Sequence, residues 1–128
     1  MIRSILITLL IFFTAEAQAA SPRMTGMFSN MRFGTEDVGG VEVFITYSDK
    51  GYFAQVQCAE GAISRPILVP VVVAANFVEF IVPVQVEPNS YSCPSGKFKG
   101  EVSSKGMKGH FEGTEWPGFL NRKGSYWQ

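Results

Sequence analysis

Apolar and polar residues alternate along the chain in short runs, and after residue 19 no stretch shows a long helical period. "TGMFSNMRF" (residues 25–33) leads into an acidic, glycine-containing loop, "GTEDVGG". "VEVFITY" (41–47) passes through Ser48-Asp49-Lys50-Gly51, a strong turn signal, into "YFAQVQCAEG" (52–61). In that third run Ala54, Val56 and Cys58 share one face and Gln55 and Gln57 the other, which points Cys58 inward. The greasy stretch "ILVPVVVAANFVEFIVPVQV" (67–86) has the length of a membrane helix, but Pro70, Asn76, Glu79 and Pro83 interrupt it. It reads as two buried strands turning at Ala74-Ala75-Asn76, with Val78, Phe80 and Val82 opposite Glu79. Each proline lacks a ladder donor and belongs at an edge or bend. "EPNSYSCPSG" (87–96) is a loop.

The next stretch, "KFKGEVSSKGMKGHFEG" (97–113), reads nearly the same in both directions. A four-residue loop at Ser103-Ser104-Lys105-Gly106, with Gly106 left-handed, sets a hairpin register. Val102 then faces Met107, Gly100 faces Gly109 and Phe98 faces Phe111. On the other face Glu101 meets Lys108, Lys99 meets His110 and Lys97 meets Glu112. Apolar and opposite-charge pairs of this kind each stabilise a sheet by roughly a few tenths of a kcal/mol. A slip of one residue destroys both patterns. The glycines lack the strand-to-helix context and the Lys-Ser/Thr ending of a phosphate loop. The Gly100–Gly109 pair leaves a gap on the inner face, to be covered by an aromatic ring, closed by a bend, or lined as a ligand pocket by Phe98, Gly100, Met107, Gly109 and Phe111.

The first residues change the setting. Arg3, the apolar run 5–13 and the small-residue ending "AEAQAA" describe a secretory signal peptide. Cleavage falls before Ala20, with Ala15-Glu16-Ala17 as the nearby alternative. Residues 1–19 are then signal and 20–128 a single exported domain, with no membrane insertion afterwards. Acidic and basic side chains balance at 11 each, and the signal removes Arg3 and Glu16, one of each sign. A neutral chain does not suit nucleic acid. Cys58 and Cys93 both survive cleavage, and in an oxidising compartment the simplest arrangement pairs them. Such a bridge is worth roughly 3–4 kcal/mol.

Candidate chemistry is sparse. His110 is the one histidine, and the hairpin register points it to solvent opposite Lys99, a poor setting for a hydrolytic base. No pair among Glu36, Asp37, Glu42, Glu60, Glu79 and Glu115 is singled out as a glycosidase-like couple. Glu36-Asp37 lacks the alternating ligands of a calcium loop, and no Cys-x-x-Cys suggests a metal, so no cofactor is expected. Tyr126 and Trp127 are expected to seal the core, with the tail "GFLNRKGSYWQ" as closing strand, and Trp116-Pro117 to cap an open barrel end. The same aromatic residues, with Arg122 nearby, also have the character of a binding hot spot.

The hairpin and the terminal "SYWQ", with "GMFSNMRF" and "GGVEVFITY", resemble small, uncharacterised, exported bacterial β proteins. That resemblance implies compartment and fold and carries no activity. The expectation is an all-β domain, a small antiparallel meander barrel or barrel-like sandwich of roughly eight short strands with one disulfide. Its expected role is a non-catalytic protein-binding module, of inhibitor or immunity type, acting on a periplasmic or cell-envelope protein through Glu36, Asp37, Trp116 and Arg122. The alternatives are a carrier of a small apolar ligand inside the barrel and a hydrolase using His110.

Overall fold

The computed structural model describes residues 20–86 and 90–127; the proposed signal segment, residues 1–19, lies outside them. The strands are β1 (Gly26–Ser29), β2 (Arg32–Phe33), β3 (Val38–Ser48), β4 (Gly51–Glu60), β5 (Ile67–Ala74), β6 (Phe77–Val82), β7 (Gly96–Val102), β8 (Gly106–Phe111) and β9 (Pro117–Arg122). From β3 to β9 each strand pairs antiparallel with the next, and β1 bridges β9 and β3. The result is a closed eight-stranded barrel, with β2 as one extra strand along β3.

Alternation decides which side chains go inside. Val41, Val43 and Ile45 of β3 and Ala54, Val56 and Cys58 of β4 are fully buried. Val78, Phe80 and Val82 of β6 are buried opposite Glu79, as the sequence predicts. The β7–β8 register is the expected one at all five pairs from Phe98↔Phe111 to Val102↔Met107. Its ionic partners differ, because Lys97 turns from Glu112 to Glu79 of β6, at 2.9 Å. That contact, first as a hydrogen bond and then as a charge, holds the lysine above its ordinary pKa.

Three expectations need correction. The 25–33 run is two strands, broken at Asn30-Met31. The Asn30 backbone N–H still donates to the Val41 carbonyl at 3.1 Å, while its side-chain oxygen accepts from the Val41 N–H at 2.8 Å and its side-chain amide donates to the Pro117 carbonyl at 3.1 Å. Gly106 is not left-handed. It is glycine because a Cβ there would sit 2.2 Å from the Leu120 carbonyl oxygen of β9. Pro70 lies inside β5, paired with Phe53, rather than at the strand's end. The β5–β6 ladder stops at Val72↔Glu79, so Pro70 has no β6 register partner to miss the N–H it lacks.

The interior is filled. Phe80 stacks on Phe98 at 4.5 Å, Phe98 meets Phe111 edge-on at 5.3 Å, and Phe111 stacks on Trp116 at 5.7 Å. Trp116 packs against the core from the end of this aromatic row. At the start of β1, Arg122 lies over the Phe28 ring at 4.6 Å. It donates to the carbonyls of Thr25 (2.9 Å), Arg23 and Ser103 (3.3 Å). Burial, and then the Arg23 charge, lower its pKa from the ordinary arginine value.

The Cys58–Cys93 disulfide joins β4 to the loop before β7 across a Cα–Cα distance of 5.2 Å. Buried Ser64 fixes the turn beside it, its hydroxyl accepting from the Cys58 N–H at 2.9 Å and its own N–H donating to the Cys58 carbonyl at 2.8 Å.

Candidate functional site

Glu42 is the side chain that breaks the barrel's inside–outside rule. It sits between Val41 and Val43 on β3 and points outward, yet it is buried. Ser29, its register partner on β1, donates to its Oε2 at 2.6 Å. The rest of its cover comes from the C-terminal tail. The Ser125 hydroxyl donates to Oε1 at 2.8 Å and the Tyr126 N–H to Oε2 at 2.8 Å. A buried acid is tolerable only with such partners, so the tail is fastened to the outer wall. Trp127 adds a further tie through its indole N–H to the Gln57 side-chain oxygen on β4, at 3.0 Å.

This fastening determines where the rings go. Tyr126 stacks on Phe33 of β2 at 4.5 Å, and Trp127 meets both rings edge-on at 5.5 and 5.4 Å. Phe33, Tyr126 and Trp127 remain 43, 46 and 50% exposed. The tail expectation is therefore half corrected: Gly118–Arg122 do belong to the closing strand, but the Tyr126 and Trp127 rings lie outside the barrel and seal nothing inside it. Removing the clamp tests the arrangement. Glu42→Ala should free residues 124–127, abolish hydrogen-exchange protection at the Tyr126 amide and cost about 1–3 kcal/mol. Unchanged protection would mean that ring stacking and the Gln57 bond suffice to hold the tail.

The residues singled out in the sequence fall in several places. Glu36 and Asp37 are exposed in the turn after Phe33, closed by the Gly34 N–H donating to the Asp37 carbonyl at 2.6 Å. Trp116 and Arg122 face the barrel's ends and interior, and Arg122 spends its guanidinium on backbone carbonyls. Phe98, Met107 and Phe111 are core residues, and the space above the paired glycines holds their own neighbours. A Cβ on Gly109 would lie 2.2 Å from the Phe98 ring, and one on Gly100 2.6 Å from the Met107 sulfur. His110 is exposed opposite Lys99, as the register requires. Among the described residues no cluster of His, Cys, Asp or Glu is arranged to hold a metal ion.

Sequence reasoning missed Glu42, Ser29, Gln57, Phe33 and Ser125 as a unit. The one available signal was Glu42 itself, an acid inside an otherwise apolar run facing no predicted partner. No protein-family model, curated protein or solved structure matches the chain.

Proposed function

We propose that this protein is an exported, non-catalytic binding module that grips another protein through the surface formed by Phe33, Tyr126 and Trp127. The observation that carries the reading is the combination of exposure and anchoring. Three adjoining aromatic rings stand about half in water, while Glu42 ties the Tyr126 backbone and Gln57 the Trp127 indole. Aromatic side chains fixed in advance lose little entropy on binding and dominate interface energetics. Glu36 and Asp37 in the adjoining turn supply a charged rim. Trp116 and Arg122 drop out of the contact set because the barrel uses them. The partner class is a periplasmic or cell-envelope protein, which the module would inhibit or neutralise. A buried disulfide supports the oxidising compartment that this requires.

A photo-crosslinking amino acid in place of Trp127 tests the reading in the source cell. One discrete protein adduct is expected, absent when the same group replaces exposed Lys50 on the β3–β4 turn. Phe33→Ala should abolish the adduct while leaving the melting transition in place. A folded protein that yields no adduct from position 127 would sink the proposal.

A further inference from the structure

A second surface lies on the outer wall of β5 to β8, away from the aromatic rings. It is a groove of about 480 Å³, within the size range of small-molecule sites. One wall is apolar, made by Val72 and Ala74 of β5 and Phe77 of β6. The apolar row continues along β5 through Pro70 to Leu68, and Leu68 and Val72 are 70 and 69% exposed. Large aliphatic side chains held in water on adjoining strands mark a contact surface.

The other wall carries charge. Lys99 of β7 faces His110 of β8, and Lys108 lies two residues along the same strand. Sheet geometry puts such neighbours roughly 5–8 Å apart. Two acids line the groove as well: Glu79 stands opposite Lys99 and pairs with Lys97 at 2.9 Å, while Glu101 stands opposite Lys108 and accepts from the Asn76 amide at 3.3 Å. Lys99, Lys108 and His110 make no ion pair or side-chain hydrogen bond among the described residues. With Glu79 matched by Lys97, two lysines and the imidazole outnumber Glu101 at one end of a groove whose other end is aliphatic. From β5 to β8 the distance is three strand spacings, roughly 14 Å.

We propose that this groove binds a single-chain amphiphile with one anionic head, a carboxylate or a phosphate monoester. The head sits among Lys99, Lys108 and His110, and the chain crosses Phe77 to lie on the Val72 side of β5. Charge complementarity fixes the head and the apolar row fixes the tail. This site is independent of the aromatic surface and stands or falls without it.

Calorimetric titration of the purified protein with dodecanoate and with dodecyl phosphate, both below their micelle concentrations, tests the proposal. Saturable one-to-one binding of at least one is expected, and the tighter of the two identifies the head. Dodecanol, which lacks the charge, and acetate or inorganic phosphate, which lack the chain, should bind at least about tenfold more weakly. The double variant Lys99→Gln, Lys108→Gln should weaken binding by about tenfold or more, since charge-assisted contacts are lost. Val72→Ser should weaken it as well, and all three side chains are exposed, so the fold should survive. Equal binding of dodecanol, or indifference to the lysine variant, would overturn the proposal. So would sedimentation showing a dimer that the Val72→Ser variant converts to monomer, because a second copy would then be the occupant.

Discussion

Replacing Gly109 with valine should leave little folded protein at 37 °C. The position faces inward on β8, and even a single added carbon would lie 2.2 Å from Cζ of the Phe98 ring. That ring has nowhere to go. Phe80 stacks against it at 4.5 Å on one strand, and Phe111 meets it at 5.3 Å on the other. Overpacking by extra methylene groups typically costs about 1–3 kcal/mol, and valine brings several carbons into a site with room for none. A loss of roughly 3 kcal/mol or more is a large part of the roughly 5–15 kcal/mol available to a domain. Urea denaturation should place the Gly109→Ala midpoint below that of the native protein and the Gly109→Val midpoint lower still. The cause can be separated from a backbone effect, because Gly109 has no left-handed φ and alanine is conformationally admissible there. Adding Phe98→Leu to Gly109→Ala should therefore recover part of the loss. If the double variant is no more stable than Gly109→Ala, the ring contact is not what the glycine serves.

The hairpin that carries Gly109 was legible because two independent patterns fix one register. The apolar pairs and the polar pairs both fail on a one-residue slip, so residue order alone aligns β7 with β8. The inward faces of β4 and β6 were legible for the same reason. What period-2 reasoning cannot supply is a contact between elements far apart in the chain. Nothing local says that Gly106 sits against the Leu120 carbonyl or that the Asn30 side chain reaches Val41 of β3 and Pro117 of β9. The tail shows the limit most plainly. Its alternation runs through Arg122, and Lys123-Gly124 ends it. The destination of Ser125, Tyr126 and Trp127 was set by Glu42, 84 residues before Tyr126. An outward acid among valines signals a missing partner, but it does not name one. The groove was hidden for a related reason, since Val72 and Lys99 face one groove only when β5, β6 and β7 lie side by side.

Removal of the Cys58–Cys93 bridge should produce the other large loss, about 4 kcal/mol. The bridge closes a loop of 35 residues, and the chain-entropy relation gives roughly 3.8 kcal/mol for that length. Most of that term acts on the unfolded chain, but here the native side adds to it. Among the described residues the loop before β7 is also held by the Gln85 side chain, which donates to the Cys93 carbonyl at 3.4 Å. Tyr91 packs against the core, but its hydroxyl is buried without a hydrogen-bond partner among the described residues, and burial followed by the Glu60 charge raises its pKa. A buried, unpaired hydroxyl opposes docking, so the covalent tie carries much of this loop's attachment to the barrel. With the tie cut, the Tyr91 hydroxyl gains by returning to water, and Ser64 loses the Cys93 sulfur beside its own hydroxyl. The expected result for Cys58→Ala, Cys93→Ala is a melt displaced to much lower denaturant, together with earlier hydrogen exchange in residues 90–95 than in β3 or β4. Tyr91→Phe in the native background separates the two contributions. It should be neutral or stabilising, since it removes the unpaired hydroxyl and keeps the ring. A destabilised Tyr91→Phe would show that the hydroxyl has a partner after all, and the loop would then be held by more than its disulfide and the Gln85 bond.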